Sequence, residues 1–183
     1  PVVAMISRLV AHKGLDLVRA AIEELLADDV QFVLLGTGDS EYESYFKDLA
    51  NRYKGKAVSI IAFNGDLSRK IYSGADIFLM PSKSEPCGLS QMIASRYLTV
   101  PVVRETGGLY DSIKPYGAGG NGFTFAAYNA GDMLYVLREA VSLYKNKPEW
   151  QKLMIKAGTT DFSWQRSAEE YKKMYSDTLA LMK

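Results

Sequence analysis

The chain begins with PVVAMISRLVAHKGLDLVRAAIEELLADDVQFVLLG (residues 1–36), and this stretch decides the expected fold. It opens and closes with short apolar runs, PVVAMI (1–6) and QFVLLG (31–36), which have the length and composition of buried strands. Between the two runs, apolar side chains recur at the spacing of one helix face: Leu15, Val18, Ile22, Leu25 and Leu26. A strand, a helix and a second strand in this order predict two parallel strands joined by a crossover helix.

The same alternation continues through most of the chain. Further apolar runs are AVSIIAF (57–63), DIFLMP (76–81), VPVVR (100–104) and GFTF (122–125), and helical spacing returns over 42–53, 66–74 and 88–98. The runs are continuous rather than alternating, as expected for strands that are buried on both faces. We therefore predict an α/β fold: a Rossmann-like, doubly wound parallel sheet with helices on both faces.

After residue 126 the pattern becomes helical. Helices are predicted over 129–145, 149–158 and 167–182, and Ser167-x-x-Glu170 has the spacing of a capping box for the last one. Trp150 and Trp164 are expected to anchor helix packing. The prediction is a single domain over residues 1–183 with a helical C-terminal tail.

Composition excludes several classes of protein. Among 183 residues there are 22 Lys plus Arg and 21 Asp plus Glu, a net charge of +1 that gives no overall attraction to nucleic acid or an anionic membrane. One His and one Cys argue against a multi-ligand zinc site and an internal disulfide, and favour a reducing, cytoplasmic location. No apolar run is long enough for a membrane helix. Because the chain starts at Pro1, we expect it to be processed or cut from a longer protein.

Ligands of doubly wound sheets bind beyond the carboxyl ends of the strands, so the residues after each apolar run are the candidates for a site. Arg8 and Lys13 follow the first run and precede a helix, where cations and free backbone N–H groups favour an anion such as phosphate. Two solvated loop cations are an equally good interpretation. Gly36-Thr37-Gly38-Asp39 lacks the third glycine of a dinucleotide motif and is better explained as a tight turn with Asp39 or Ser40 capping the next helix.

The fourth run leads into the densest polar segment, PSKSEPCGLSQ (81–91). Glu85 could accept hydrogen bonds from the hydroxyls of a polar ligand, and Gly88 permits close approach of the backbone. Thr106-Gly107-Gly108-Leu109 follows the fifth run and is a third glycine-bearing turn. Three such turns together with Arg8 and Lys13 predict a phosphate-bearing ligand.

These motifs resemble those of bacterial glycogen synthases and plant starch synthases. The matching segments are Ser7-Arg8-Leu9 with Lys13-Gly14, Gly36–Asp39, Tyr72–Asp76, Pro81-Ser82 with Glu85–Leu89, Val100–Val103, Thr106–Leu109 and Phe162-Ser163-Trp164. The resemblance covers nearly the whole chain. Members of this family have the GT-B architecture, in which two Rossmann-like domains enclose the active site. The resemblance implies that this chain is the C-terminal, nucleotide-sugar-binding half, and that the N-terminal acceptor domain is absent from it.

The resemblance also implies roles for individual residues. Arg8 and Lys13 would hold the diphosphate and, with Glu85 on the donor sugar, form the catalytic set. Phe63 stands where an aromatic residue, often Tyr, stacks on adenine. Ser90 replaces the usual Thr near the distal phosphate. The other substrate-binding candidates are Cys87, Gly88, Leu89, Thr106, Gly107 and Gly108.

The implied reaction moves glucose from ADP-glucose to the non-reducing end of an α-1,4-glucan with retention of configuration. ADP-glucose or ADP and the glucan are then the partners, and no metal or separate cofactor is expected, in keeping with the lack of an Asp-x-Asp motif. The isolated domain should be inactive. Many relatives have a second Glu eight positions after Glu85, and Ile93 stands there instead, which favours the glycogen synthases.

Two alternatives remain at this point. The first is another retaining GT-B transferase that uses a UDP-sugar. The second is a non-catalytic doubly wound module, such as a receiver domain or a flavin carrier. A receiver domain needs clustered carboxylates after its first strand, whereas this chain has Ser7 and Arg8 there.

Overall fold

The computed structural model of the protein describes residues 1–117 and 119–181. Its strands are β1 (Val2–Ile6), β2 (Gln31–Gly36), β3 (Ala57–Ile61), β4 (Ile77–Met80), β5 (Val100–Arg104) and β6 (Phe123–Phe125). Its helices are α1 (Leu15–Ala27), α2 (Ser40–Arg52), α3 (Gly65–Gly74), α4 (Ser90–Arg96), α5 (Gly107–Ser112), α6 (Ala130–Lys145), α7 (Lys147–Thr159) and α8 (Trp164–Leu181). A short 3₁₀ turn, Ala11–Lys13, precedes α1.

The six strands form one sheet in the order β3-β2-β1-β4-β5-β6, with every neighbouring pair parallel. β2 and β3 extend the sheet in one direction from β1, and β4, β5 and β6 extend it in the other. The topological switch point therefore lies between β1 and β4, whose pairing joins Val3 to Ile77 and Ala4 to Phe78. The predicted doubly wound parallel sheet is confirmed.

Successive residues of a strand point to opposite faces of the sheet, and here both sets are apolar. Helices cover both faces and bury these residues. On one face, Val3 and Met5 of β1 belong to a large apolar cluster that includes residues of α1, α2, α6 and α7. On the other face, Ala4 lies in a smaller cluster with residues of α3, α4 and α5, among them Tyr72 and Ala94. Burial on both faces explains the continuous apolar character of the strands.

The tail differs from the prediction at its last helix. Helix α8 begins at Trp164, three residues before the expected start, so Ser167 lies inside it and does not cap it. Trp164 is 89% exposed, which makes its predicted role as a packing anchor wrong, whereas Trp150 is 2% exposed and that prediction is confirmed. No residue of Trp164–Leu181 is buried. The predicted helix end at residue 182 lies outside the described residues.

Within the ranges 1–117 and 119–181, no helix has the length and hydropathy needed to cross a membrane.

Candidate functional site

The switch point brings the segments after β1 and β4 together, although they are far apart in sequence. The backbone N–H of Lys83 donates to the carbonyl of His12 at 2.9 Å. Gly14 has a φ of 75°, and a Cβ there would lie 2.1 Å from the carbonyl oxygen of Pro81. Only glycine permits this close approach in this conformation. The turn that carries Lys13 therefore rests directly on the segment that leads to Glu85.

Lys13 and Glu85 form an ion pair at this junction. Lys13 Nζ donates to Glu85 Oε2 at 2.6 Å, and the two side chains are 17% and 10% exposed. The hydroxyl of Ser82 lies 3.4 Å from the same carboxylate oxygen. A cation and an anion are thus placed side by side at the carboxyl edge of the sheet, mostly shielded from water.

A cavity of about 170 Å³ opens beside this pair. The sequence-predicted site residues that line it are Arg8, Lys13, Glu85, Gly88, Leu89 and Ser90. Arg8 is exposed, whereas Glu85 is buried. The structure therefore gathers both predicted cations and the predicted carboxylate around one opening at the switch point.

Other predicted residues lie elsewhere. Phe63 follows β3 at the edge of the sheet, is 97% exposed, and does not line this cavity. Cys87 and Gly108 line a different cavity of about 670 Å³, which none of Arg8, Lys13 and Glu85 reaches. This second cavity is larger and is lined by the cations Lys114, Lys156 and Arg166, but none of the three predicted catalytic residues lies in it.

The glycines after β5 contact the Glu85–Leu89 loop directly. The N–H of Gly108 donates to the carbonyl of Glu85 at 3.0 Å. A Cβ on Gly107, which has a φ of 47°, would lie 2.2 Å from that same oxygen. A Cβ on Gly108 would lie 2.0 Å from the carbonyl oxygen of Cys87. These glycines thus pack one loop against the other, and their contact with a ligand stays a prediction.

The Gly36–Asp39 segment is a packed turn, as its sequence favours. Asp39 N–H donates to the carbonyl of Leu9, and a Cβ on Gly38 would lie 2.2 Å from that oxygen. Asp39 occupies the N-cap of α2 without a side-chain hydrogen bond. The carboxylate of Glu43 accepts from Gly38 N–H at 3.0 Å instead.

Sequence reasoning missed Arg104, the last residue of β5. Its guanidinium donates to the carbonyls of Lys83 and Ser82 at 3.0 and 3.4 Å, and it lies 5.3 Å from the ring centre of Tyr128. The Tyr128 hydroxyl donates to Asp16 on α1. Burial, followed by this hydrogen bond, raises the pKa of Tyr128. Through these hydrogen bonds, Arg104 stabilises the segment before Glu85. The only indication of this in the sequence is a charged residue at the carboxyl end of a strand.

The described ranges contain no group of three or more His, Cys, Asp or Glu side chains placed to hold a metal ion.

The doubly wound parallel sheet makes this chain a Rossmann-like α/β domain, a class that binds its ligands beyond the carboxyl ends of the strands. Within that class, the chain belongs to the family of glycosyl transferases group 1, whose family model matches residues 1–161.

Comparison with known proteins confirms the resemblance drawn from the motifs. Over 98% of this chain, the sequence is 52% identical to a glycogen synthase of Kosmotoga olearia and 48% identical to one of Bacillus cereus. It spans 38% of the length of each of these relatives. The solved catalytic domain of starch synthase IV from Arabidopsis thaliana, bound to ADP and acarbose, is 36% identical, with a TM-score of 0.87, over 98% of this chain and 38% of that one.

Proposed function

We propose that residues 1–183 are the donor-binding domain of a retaining glucosyltransferase that extends an α-1,4-glucan from ADP-glucose. The observation that carries the proposal is the convergence of Arg8, Lys13 and Glu85 on one cavity at the switch point. The relatives named glycogen synthase and the ADP-bound starch synthase support the choice of nucleotide and acceptor.

In this proposal the two cations stabilise the leaving group. When the bond between the sugar and the diphosphate breaks, negative charge develops on the departing phosphate oxygens. Arg8 and Lys13 would neutralise that charge from fixed positions, which lowers the barrier without reorganisation of solvent. Glu85 would accept hydrogen bonds from the hydroxyls of the donor sugar and so fix its orientation over the cavity.

The acceptor would be held by the part of the enzyme outside this chain, in the N-terminal half of a GT-B architecture. The isolated chain is therefore expected to bind nucleotide weakly and to elongate no glucan. A single Cys, Cys87, suits a reducing location, and we assign the enzyme to the cytoplasm. Glucan synthesis by the pure 183-residue chain would contradict the assignment of the acceptor to the part of the enzyme outside this chain.

The donor is tested on the intact enzyme. Initial rates with ADP-glucose and with UDP-glucose, measured on the same α-1,4-glucan, should favour ADP-glucose. A clear preference for UDP-glucose would assign the chain to a different retaining transferase, and transfer from neither donor would overturn the proposed activity.

Phe63 provides a separate prediction about the base. Because its side chain is 97% exposed, Phe63→Ala should leave thermal stability unchanged. Loss of stacking on adenine should weaken ADP binding by about tenfold, the lower part of the range for base–aromatic stacking. Phe63→Tyr should retain binding, and Tyr135→Ala, at an exposed aromatic residue on α6, is the matched control. Unchanged ADP affinity in Phe63→Ala would remove Phe63 from the site.

A further inference from the structure

The ion pair between Lys13 and Glu85 joins two groups that the proposed function assigns to different parts of the donor. Lys13 is assigned to the diphosphate, and Glu85 is assigned to the sugar. Here they bond to each other at 2.6 Å, and each side chain is less than one-fifth exposed. A donor that contacts Lys13 must therefore share this ammonium group with the carboxylate of Glu85 or displace it.

A diphosphate that binds Lys13 competes directly with Glu85. Each hydrogen bond that Lys13 donates to a phosphate oxygen weakens its bond to the carboxylate. The carboxylate then remains mostly out of water and next to a second negative charge. A buried charge that loses its partner is strongly unfavourable, and repulsion between like charges adds to that cost. Ser82 Oγ, at 3.4 Å, offers only a long hydrogen bond in compensation.

A donor that carries a sugar removes this cost. Sugar hydroxyls donate hydrogen bonds, and a carboxylate that accepts them regains the partners it loses when Lys13 turns to the phosphate. A bare nucleoside diphosphate lacks the transferred sugar, and its ribose hydroxyls lie on the other side of the two phosphates. The two ligands share the base and both phosphates, so the difference between them lies at Glu85.

We infer that the Lys13–Glu85 pair makes the site discriminate between a nucleoside diphosphate sugar and the bare nucleoside diphosphate. This inference rests on the proposed function. Glu85 weakens binding of the bare nucleoside diphosphate but not of the sugar-bearing one. The nucleoside diphosphate that remains after sugar transfer is therefore bound less tightly than the donor. Glu85 is then a specificity-determining residue as well as a sugar ligand.

The test is Glu85→Gln, which removes the charge and keeps the shape. Calorimetry of the 183-residue chain with ADP is expected to show binding about tenfold tighter than in the wild type, the size of one neighbouring charge at a partly shielded site. The affinity for ADP-glucose should rise by a smaller factor, because the amide is a poorer acceptor for the sugar hydroxyls. The ratio of the two dissociation constants is the decisive quantity. Glu139→Gln, on the exposed surface of α6, makes the same charge change away from the site.

Unchanged or weaker ADP binding in Glu85→Gln would overturn the inference, because Glu85 would then orient Lys13 rather than compete for it. Thermal unfolding of each variant checks the fold, and Glu85→Met provides a second uncharged side chain should the amide variant fail to fold. Inorganic pyrophosphate, titrated in parallel, tests the competition at Lys13 separately from recognition of the nucleotide and the sugar. If the intact enzyme binds neither ADP nor ADP-glucose, the proposed function fails, while tighter pyrophosphate binding in Glu85→Gln still supports the competition at Lys13.

Discussion

Lys13→Ala in the intact enzyme is expected to lower kcat/KM for glucose transfer by about 10²–10³-fold, the usual effect of removing one group that stabilises developing charge. The ammonium lies at the cavity beside Glu85, where low exposure strengthens its interaction with a phosphate. Initial rates with ADP-glucose and an α-1,4-glucan measure the loss. Arg8→Ala should act in the same direction.

The control for this prediction is Lys47→Ala, which removes an exposed lysine from α2. Lys13→Ala also leaves Glu85 without its partner, so a modest loss of thermal stability should accompany the loss of rate. The rate is therefore measured well below the unfolding temperature of each variant. Near-wild-type turnover in Lys13→Ala would remove Lys13 from the diphosphate site.

Gly108→Ala is expected to lower the stability of the fold strongly. The new Cβ would lie 2.0 Å from the carbonyl oxygen of Cys87 and 2.5 Å from its Cα, both backbone atoms that cannot turn aside. The loop that carries Glu85 must then separate from α5. We expect a loss of about 3 kcal/mol in the free energy of unfolding, which corresponds to roughly 6–12 °C in Tm for a chain of this size.

Gly65→Ala is the matched control, since Gly65 also lies at the start of a helix and a Cβ there meets nothing within 4 Å. Its free energy of unfolding should change by no more than about 0.5 kcal/mol. Neither glycine has a positive φ, so the comparison isolates the contact with Cys87 from backbone strain. Equal Tm values for the two variants would show that the two loops do not depend on this contact.

The strands and most helices were predictable because continuous apolar runs and helical spacing are local properties of the sequence. The site was predictable in part for the same reason: residues after a parallel strand lie at the carboxyl edge of the sheet, and Arg8, Lys13 and Glu85 are found there. The ion pair was not predictable. Its two members are 72 positions apart, and they meet only because β4 lies next to β1, which the order of elements along the chain does not reveal.

Helix α8 shows a second limit of pattern reading. Its apolar residues recur at helical spacing, which correctly indicates a helix, and Trp164 was expected to be buried by packing. The spacing of apolar residues indicates that one side of a helix is apolar. It does not indicate what that side contacts. Within the described residues Trp164 is 89% exposed, whereas Trp150 on α7 is buried as predicted.

The most direct test of the account is a calorimetric titration of the 183-residue chain with ADP, AMP and UDP. If Arg8 and Lys13 hold a diphosphate, ADP should bind clearly more tightly than AMP, and Lys13→Ala should reduce that difference. ADP should also bind more tightly than UDP if the base is adenine. Equal affinities for ADP and AMP, or an ADP affinity that Lys13→Ala leaves unchanged, would contradict the assignment of the diphosphate to the switch point.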